Sequence, residues 1–176
     1  MNTDTIGVDS QCLSYLIDVI HDINEPSDNL ASEKIALFRL YLYLPGTFFV
    51  TQTVVDECSK IRDEARKELH DNYIGVLFGE VLRQNTDSIE LRIEVLEQDH
   101  SGKNDCCILA EAEDAEFASL LSYDDNFLKH LQGVSPNVNL CRPTEYWAQL
   151  DISKGTKPDK IPHATNPLAE QVWWKW

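Results

Sequence analysis

Residues Ile6-Gly7-Val8-Asp9-Ser10-Gln11-Cys12-Leu13-Ser14-Tyr15-Leu16-Ile17 contain a change of hydrophobic period. Ile6 to Val8 is a short apolar run that ends at an acid. Cys12, Leu13, Leu16, Ile17 and Ile20 then recur at helical spacing. The chain therefore passes from strand to helix at Asp9-Ser10. The handover recurs downstream. Phe48-Phe49-Val50 reads as a buried strand, after which Thr51 or Thr53 caps a helix with Val54, Cys58 and Ile61 on its inner stripe. Phe117 to Ser122 reads as another, and Asp124 then caps a short helix carrying Phe127, Leu128 and Leu131. Strands alternating with helices predict an α/β fold with a mainly parallel sheet.

The intervening segments fit that frame. Asn24 to Asn29, with Pro26, reads as a turn, and a helix carrying Ile35, Phe38 and Leu42 stops before Pro45-Gly46. Lys60 to Leu82 reads as further helix, broken near Asp71-Asn72. From Ser88 to Leu96 the apolar residues alternate as in a strand, but Asp87 with Glu90 makes a capping box and Ile89, Ile93 and Leu96 share a helical face. The helix is preferred. Ser101 to Ala115 is a helix, Val138 to Cys141 a last strand, and Pro143 opens a helix through Trp147 and Leu150. From Asp151 the composition shifts to Lys, Pro, Gly, Thr and Asn, without periodicity until Val172-Trp173-Trp174-Lys175-Trp176. Residues 1–150 are thus expected to form one domain, with 151–176 an extension outside its core.

A hydrophobic content of 43% lets 176 residues bury one good-sized core. No stretch approaches the roughly 18 apolar residues of a membrane span, so no membrane association is expected. Met1-Asn2-Thr3-Asp4-Thr5 carries no basic residue and leads into no signal-type apolar run, which favours a cytoplasmic location. The cysteines, Cys12, Cys58, Cys106, Cys107 and Cys141, form no Cys-x-x-Cys pair, and most sit in apolar stretches. They are expected to be reduced core thiols rather than zinc ligands. A formal net charge of −15 argues against non-specific binding to DNA or anionic membranes. It does not exclude chemistry on phosphates, because a bound metal ion supplies local positive charge that a whole-chain sum omits.

Four acids carry the chemistry. Asp9 and Asp124 lie at strand-to-helix handovers, where ligands bind in parallel α/β folds. Either could simply be an N-cap. Glu57 shares a helical face with Val54 and Ile61, so its carboxylate points to the apolar side, whereas Asp56 points elsewhere, within reach of Lys60. A carboxylate on a buried stripe is costly unless it is satisfied or snorkels to solvent. Asp105, with Leu109 and Ala112 at i+4 and i+7, repeats the pattern, although a first-turn acid also compensates the helix dipole. Together the four would repel one another without a cation. Hard divalent ions such as Mg²⁺ or Mn²⁺ take such oxygens.

The segments Val8 to Leu13, Thr51 to Glu57, Asn104 to Ala112 and Ser122 to Leu128 resemble, in order and spacing, the four motifs of the PIN-domain family. This resemblance spans residues 5 to about 141. It implies a three-layer α/β/α sandwich with a central mainly parallel sheet, and Mg²⁺- or Mn²⁺-dependent endoribonuclease activity. It also implies kinship with VapC-type toxins of toxin–antitoxin pairs, hence an RNA substrate and an antitoxin partner. Asp9, Glu57, Asp105 and Asp124 match the family's acidic ligands. Ser10 matches a hydroxyl that supports the first acid, and Ser122 the hydroxyl two residues before the fourth. Asn126 stands where some members have a fifth acid.

Substrate contacts are expected from His100, Lys103 and Arg62. The basic run Lys60, Arg62, Arg66 and Lys67 is interleaved with acids and reads more simply as a solvated face. The tail tryptophans are expected to pack on their own domain or on a homodimer mate, ahead of a separate partner or nucleic acid bases. The alternative function is a catalytically inactive PIN-like protein-interaction module. A haloacid-dehalogenase-type phosphatase would need Asp-x-Asp after the first strand, where this chain has Asp9-Ser10-Gln11.

Overall fold

A computed structural model describes residues 5–84, 86–161 and 163–176. Its centre is a sheet of five strands, β1 (Ile6–Val8), β2 (Phe48–Thr51), β3 (Phe78–Val81), β4 (Ser119–Leu121) and β5 (Asn139–Cys141). Every pairing is parallel, and the order is β3-β2-β1-β4-β5. Buried on both faces, the inner strands read as continuous apolar runs, which is why β1 and β4 show no alternation.

Helices cover both faces, giving the three-layer α/β/α sandwich. After β1 come α1 (Ser10–His21) and α2 (Ala31–Tyr43). After β2 come α3 (Gln52–Cys58) and α4 (Glu64–Leu77). The long return from β3 to β4 carries α5 (Thr86–Leu96) and α6 (Lys103–Asp114). Then α7 (Asp125–Leu131) precedes β5, and α8 (Pro143–Gln149) follows it. Helix α1 contacts both α2 and α4. Helix α8 packs on α2, and α5 on α6, while α3 touches both α1 and α6. The chain leaves β1 towards β2 but leaves β4 towards β5. Their carboxyl ends therefore flank the crevice in which α/β folds bind ligands.

Helix α5 buries Ile89, Ile93 and Leu96 and exposes Leu91 and Val95, the helical one of its two readings. Two expectations fail nearby. Helix α4 is unbroken at Asp71-Asn72, and the chain beyond Leu77 is a strand rather than more helix. Strand β3 is short, lies at the sheet edge and follows α4 with no turn between them. Gly79 is needed there, since a Cβ would lie 2.5 Å from the Phe49 ring. All five cysteines are free and buried. Among the described residues, no helix is long and apolar enough to cross a membrane.

The segment after Asp151 does not stay outside the core. Leu168 and Trp174 are each 3% exposed. Trp174 Nε1 donates to the Leu168 carbonyl at 2.9 Å, and Trp173 stacks on Phe38. The Arg39 guanidinium on α2 donates to the carbonyls of Trp173, Trp174 and Lys175. Lys160 Nζ satisfies the carbonyls of Tyr41 and Leu44 at the end of α2. Trp176 meets Trp147 of α8 edge-on. The tail thus clamps α2 to α8, and the expectation that the tryptophans pack on their own domain holds. Trp174→Ala should cost about 3–5 kcal/mol, as for other buried large-to-small changes. Urea unfolding measures it, and a loss below about 1 kcal/mol would contradict the clamp.

Candidate metal centre

Asp9 leaves β1 with extended backbone and caps α1, its Oδ1 accepting the Cys12 N–H at 2.7 Å. The carboxylate is buried. Its Oδ2 accepts a short hydrogen bond from the Ser122 hydroxyl. Ser122 Oγ in turn accepts the Asp124 N–H at 3.0 Å, so one hydroxyl knits the ends of β1 and β4 together. Asp124 caps α7 through Oδ1, which accepts the N–H groups of Asn126 and Phe127. Its Oδ2 accepts from Gln11 Nε2 at 2.8 Å. Both aspartates are caps. The cap occupies one oxygen and leaves the other turned to a different partner, so capping and ligand roles do not exclude each other.

Glu57, near the end of α3, accepts from Asn104 Nδ2 at 2.6 Å through Oε1. Its Oε2 is buried and has no hydrogen-bond partner. Asp105 lies in the first turn of α6, where the helix dipole favours an anion. Its Oδ2 meets His100 Nε2 at 2.6 Å. The two helices are tied by Glu111, a buried acid that sequence reasoning missed. It accepts the Thr53 N–H and hydroxyl, both at 2.9 Å, and pairs with Arg83 through Nε and Nη2. Glu111 thereby does what the side chain of Thr51, the first cap candidate, does not do. The signal was available: Glu111 follows Ile108 by three residues on a buried stripe, the same test that singled out Glu57.

The four acids feel one another. Burial pushes the Asp9 carboxyl up to about 6, despite its hydrogen bonds, and the charge of Asp124 adds to the rise. Burial also raises Asp105; the His100 bond opposes this, and the charges of Asp124 and Glu57 add to it. The donor set suits a hard cation: four carboxylates from four segments, one with a buried unpartnered oxygen. Yet among the described residues no three Asp, Glu, His or Cys side chains stand close enough, as placed, to hold one ion. Gln11, Asn104, Ser122 and His100 each hold one carboxylate oxygen. The donor chemistry therefore fits Mg²⁺ or Mn²⁺, and binding would require the four carboxylates to draw closer together.

Other expected residues divide. Ser122, not Ser10, supports Asp9; Ser10 lies on a groove of about 330 Å³ that also reaches Glu57. Asn126 contributes its backbone N–H, and its side chain is exposed. His100 is 3% exposed, packed behind Asp105, and cannot be a surface contact for substrate. Lys103 is exposed at the start of α6, and Arg62 is exposed between α3 and α4. Arg66 pairs with Asp18 at 2.9 Å, as expected of a solvated face. Asp125 faces Arg142, away from the other acids. No family model and no curated protein matches the chain.

The raised Asp9 carboxyl has a consequence for stability. Its folded value, about 6, lies above the ordinary 3.8, so its contribution is complete below about pH 4 and is lost as pH rises through 6. Asp9→Asn removes that loss. In metal-free buffer the variant should be more stable than the parent at pH 7, by up to about 3 kcal/mol at roughly 1.4 kcal/mol per pH unit. The difference should vanish by pH 4. Urea unfolding at both pH values checks this, and a variant less stable at pH 7 would sink it.

Proposed function

We propose that the chain is a Mg²⁺- or Mn²⁺-dependent endoribonuclease of the PIN-domain type, hydrolysing phosphodiester bonds in RNA. One observation carries this. Four acids from four separate segments lie, in the motif order given above, about the carboxyl edge of the sheet at its topological switch point, and the charge of Asp124 adds to the burial that raises Asp9 and Asp105. Asp9, Glu57, Asp105 and Asp124 would hold the metal. When bound, it would activate a water molecule for in-line attack and offset charge on the leaving oxygen. Ser122 fixes the rotamer of Asp9, and Gln11 does the same for Asp124. Asn104 holds Glu57 in reach of Asp105. Lys103, two residues before Asp105, and Arg62, five residues after Glu57, are the exposed cations assigned to the RNA backbone. No side chain is assigned as general base.

The resemblance to VapC-type proteins extends this proposal to a toxin with an antitoxin partner, working in the cytoplasm and able to form a homodimer. A second proposal, a PIN-like interaction module without catalysis, is favoured by the lack of three converged donors among the described residues. Titrating Mn²⁺ into metal-free protein separates the two, because an ion that binds the native state raises the melting temperature.

Asp9→Asn and Asp105→Asn should each lower Mn²⁺-dependent cleavage of single-stranded RNA by about a hundredfold or more, roughly 3 kcal/mol of transition-state stabilisation. Far-UV circular dichroism should be unchanged. Cleavage that survives either substitution would refute the assignment.

A further inference from the structure

His100 has the wrong surroundings for a substrate contact and the right ones for another task. Its ring is buried, near-parallel to Phe127 at 6.5 Å and to His130 at 5.2 Å between centroids. Its backbone is held as well, the N–H donating to the Leu96 carbonyl and the carbonyl accepting from Cys106 Sγ. Among the described residues, the side-chain hydrogen bond His100 makes is from Nε2 to Asp105 Oδ2 at 2.6 Å. With Asp105 ionised its carboxylate can only accept, and Nε2 is then the donor.

Gly102 gives an independent sign that this contact is built. A Cβ there would lie 2.4 Å from His100 Nε2 and 2.8 Å from Asp105 Oδ2. Its φ of −76° is one that any residue adopts, so backbone conformation does not call for glycine. What calls for it is the space taken by the His100–Asp105 pair.

Helix α7 completes the arrangement. It presents Asp124 at its N-cap, and its next turns carry Phe127 and His130, which clamp the His100 ring. One helix therefore sets two of the four acids, Asp124 directly and Asp105 through His100.

We propose that His100 is a positioning residue: clamped by α7 and given room by Gly102, it holds Asp105 in the orientation in which that carboxylate meets a divalent cation. This rests on the metal reading of the site. A ligand's hydrogen-bonded outer partner sets its rotamer and basicity, and losing it typically weakens metal affinity by about 10- to 100-fold.

Three variants of the full chain separate the hydrogen bond from the packing. His100→Phe keeps an aromatic ring against Phe127 and His130 but removes the donor. His100→Gln keeps an N–H donor of similar reach but removes the ring. Gly102→Ala keeps both and drives a methyl group into the pair. Mn²⁺ affinity is read without RNA, from free Mn²⁺ by electron paramagnetic resonance.

The expected result is a loss of about 10- to 100-fold for His100→Phe and Gly102→Ala, with His100→Gln within about threefold of the parent. A merely structural role for the ring would reverse the order, sparing Phe and damaging Gln. Parent-like affinity in His100→Phe, or affinity as weak in Gln as in Phe, would overturn the positioning role and leave the metal reading standing. A parent protein that binds no Mn²⁺ would instead overturn the metal reading itself. If Gly102→Ala fails to fold, the Phe and Gln pair still decides.

Discussion

Carboxylates that share one rim of a sheet repel one another, and the rim of this protein is organised around containing that repulsion. Each acid is anchored by groups that carry no negative charge. The Cys12 N–H and the Ser122 hydroxyl hold Asp9, the start of α7 and Gln11 hold Asp124, Asn104 holds Glu57, and His100 holds Asp105. Helix N-termini contribute in the same sense, since Asp9 and Asp124 are caps and Asp105 lies in a first turn. The compensation is incomplete. Asp9 and Asp105 stay above the ordinary carboxylate range, and one oxygen of Glu57 is buried without a partner. Burial is the main cause of both rises, with neighbouring carboxylates adding to them, and a nearby cation would offset both.

The sheet topology makes the convergence possible. Reversal of strand order between β1 and β4 opens the crevice, and Ser122 bridges its two sides. Helix α3 brings Glu57 to the same edge because it sits between α1 and α6, with Glu111 and Arg83 fastening α3 to α6. A buried acid paired to an arginine and to the first turn of another helix has both oxygens hydrogen-bonded. Glu111 is thus structural, whereas Glu57, one turn further along α3 from Thr53, is not fully satisfied. The contrast between two half-sequestered glutamates separates scaffold from site more clearly than burial alone. At the other end of α2, the tail adds Trp174 and Leu168 to the core.

Much of this was legible in the sequence where local chemistry and hydrophobic period agree. The change of period at Asp9, and the capped starts at Asp124 and Pro143, mark their elements correctly. Strand β3 was not legible, because four residues with an exposed acid and a glycine give no strand period and no turn separates them from α4. Glu57 and Asp105 are legible from their helical faces and Asp9 and Asp124 from their strand-to-helix handovers, but their partners are not. Gln11 meets Asp124 across 113 residues and Asn104 meets Glu57 across 47, pairings set by topology alone. His100 was read as exposed because it precedes a helix in a polar stretch. Leu96, Phe127 and His130, remote or on other elements, close over it. Tail burial was hidden for a similar reason: the partners of Trp174 lie on α2, more than a hundred residues earlier.

The central claim is that the four acids form one cation site. Anomalous diffraction from a crystal soaked in millimolar Mn²⁺ tests it most directly. A peak bounded by at least three of Asp9, Glu57, Asp105 and Asp124, with Gln11 or Asn104 turned away, is the predicted result. A crystal with no peak there, or with Mn²⁺ bound only at other acids, would contradict it.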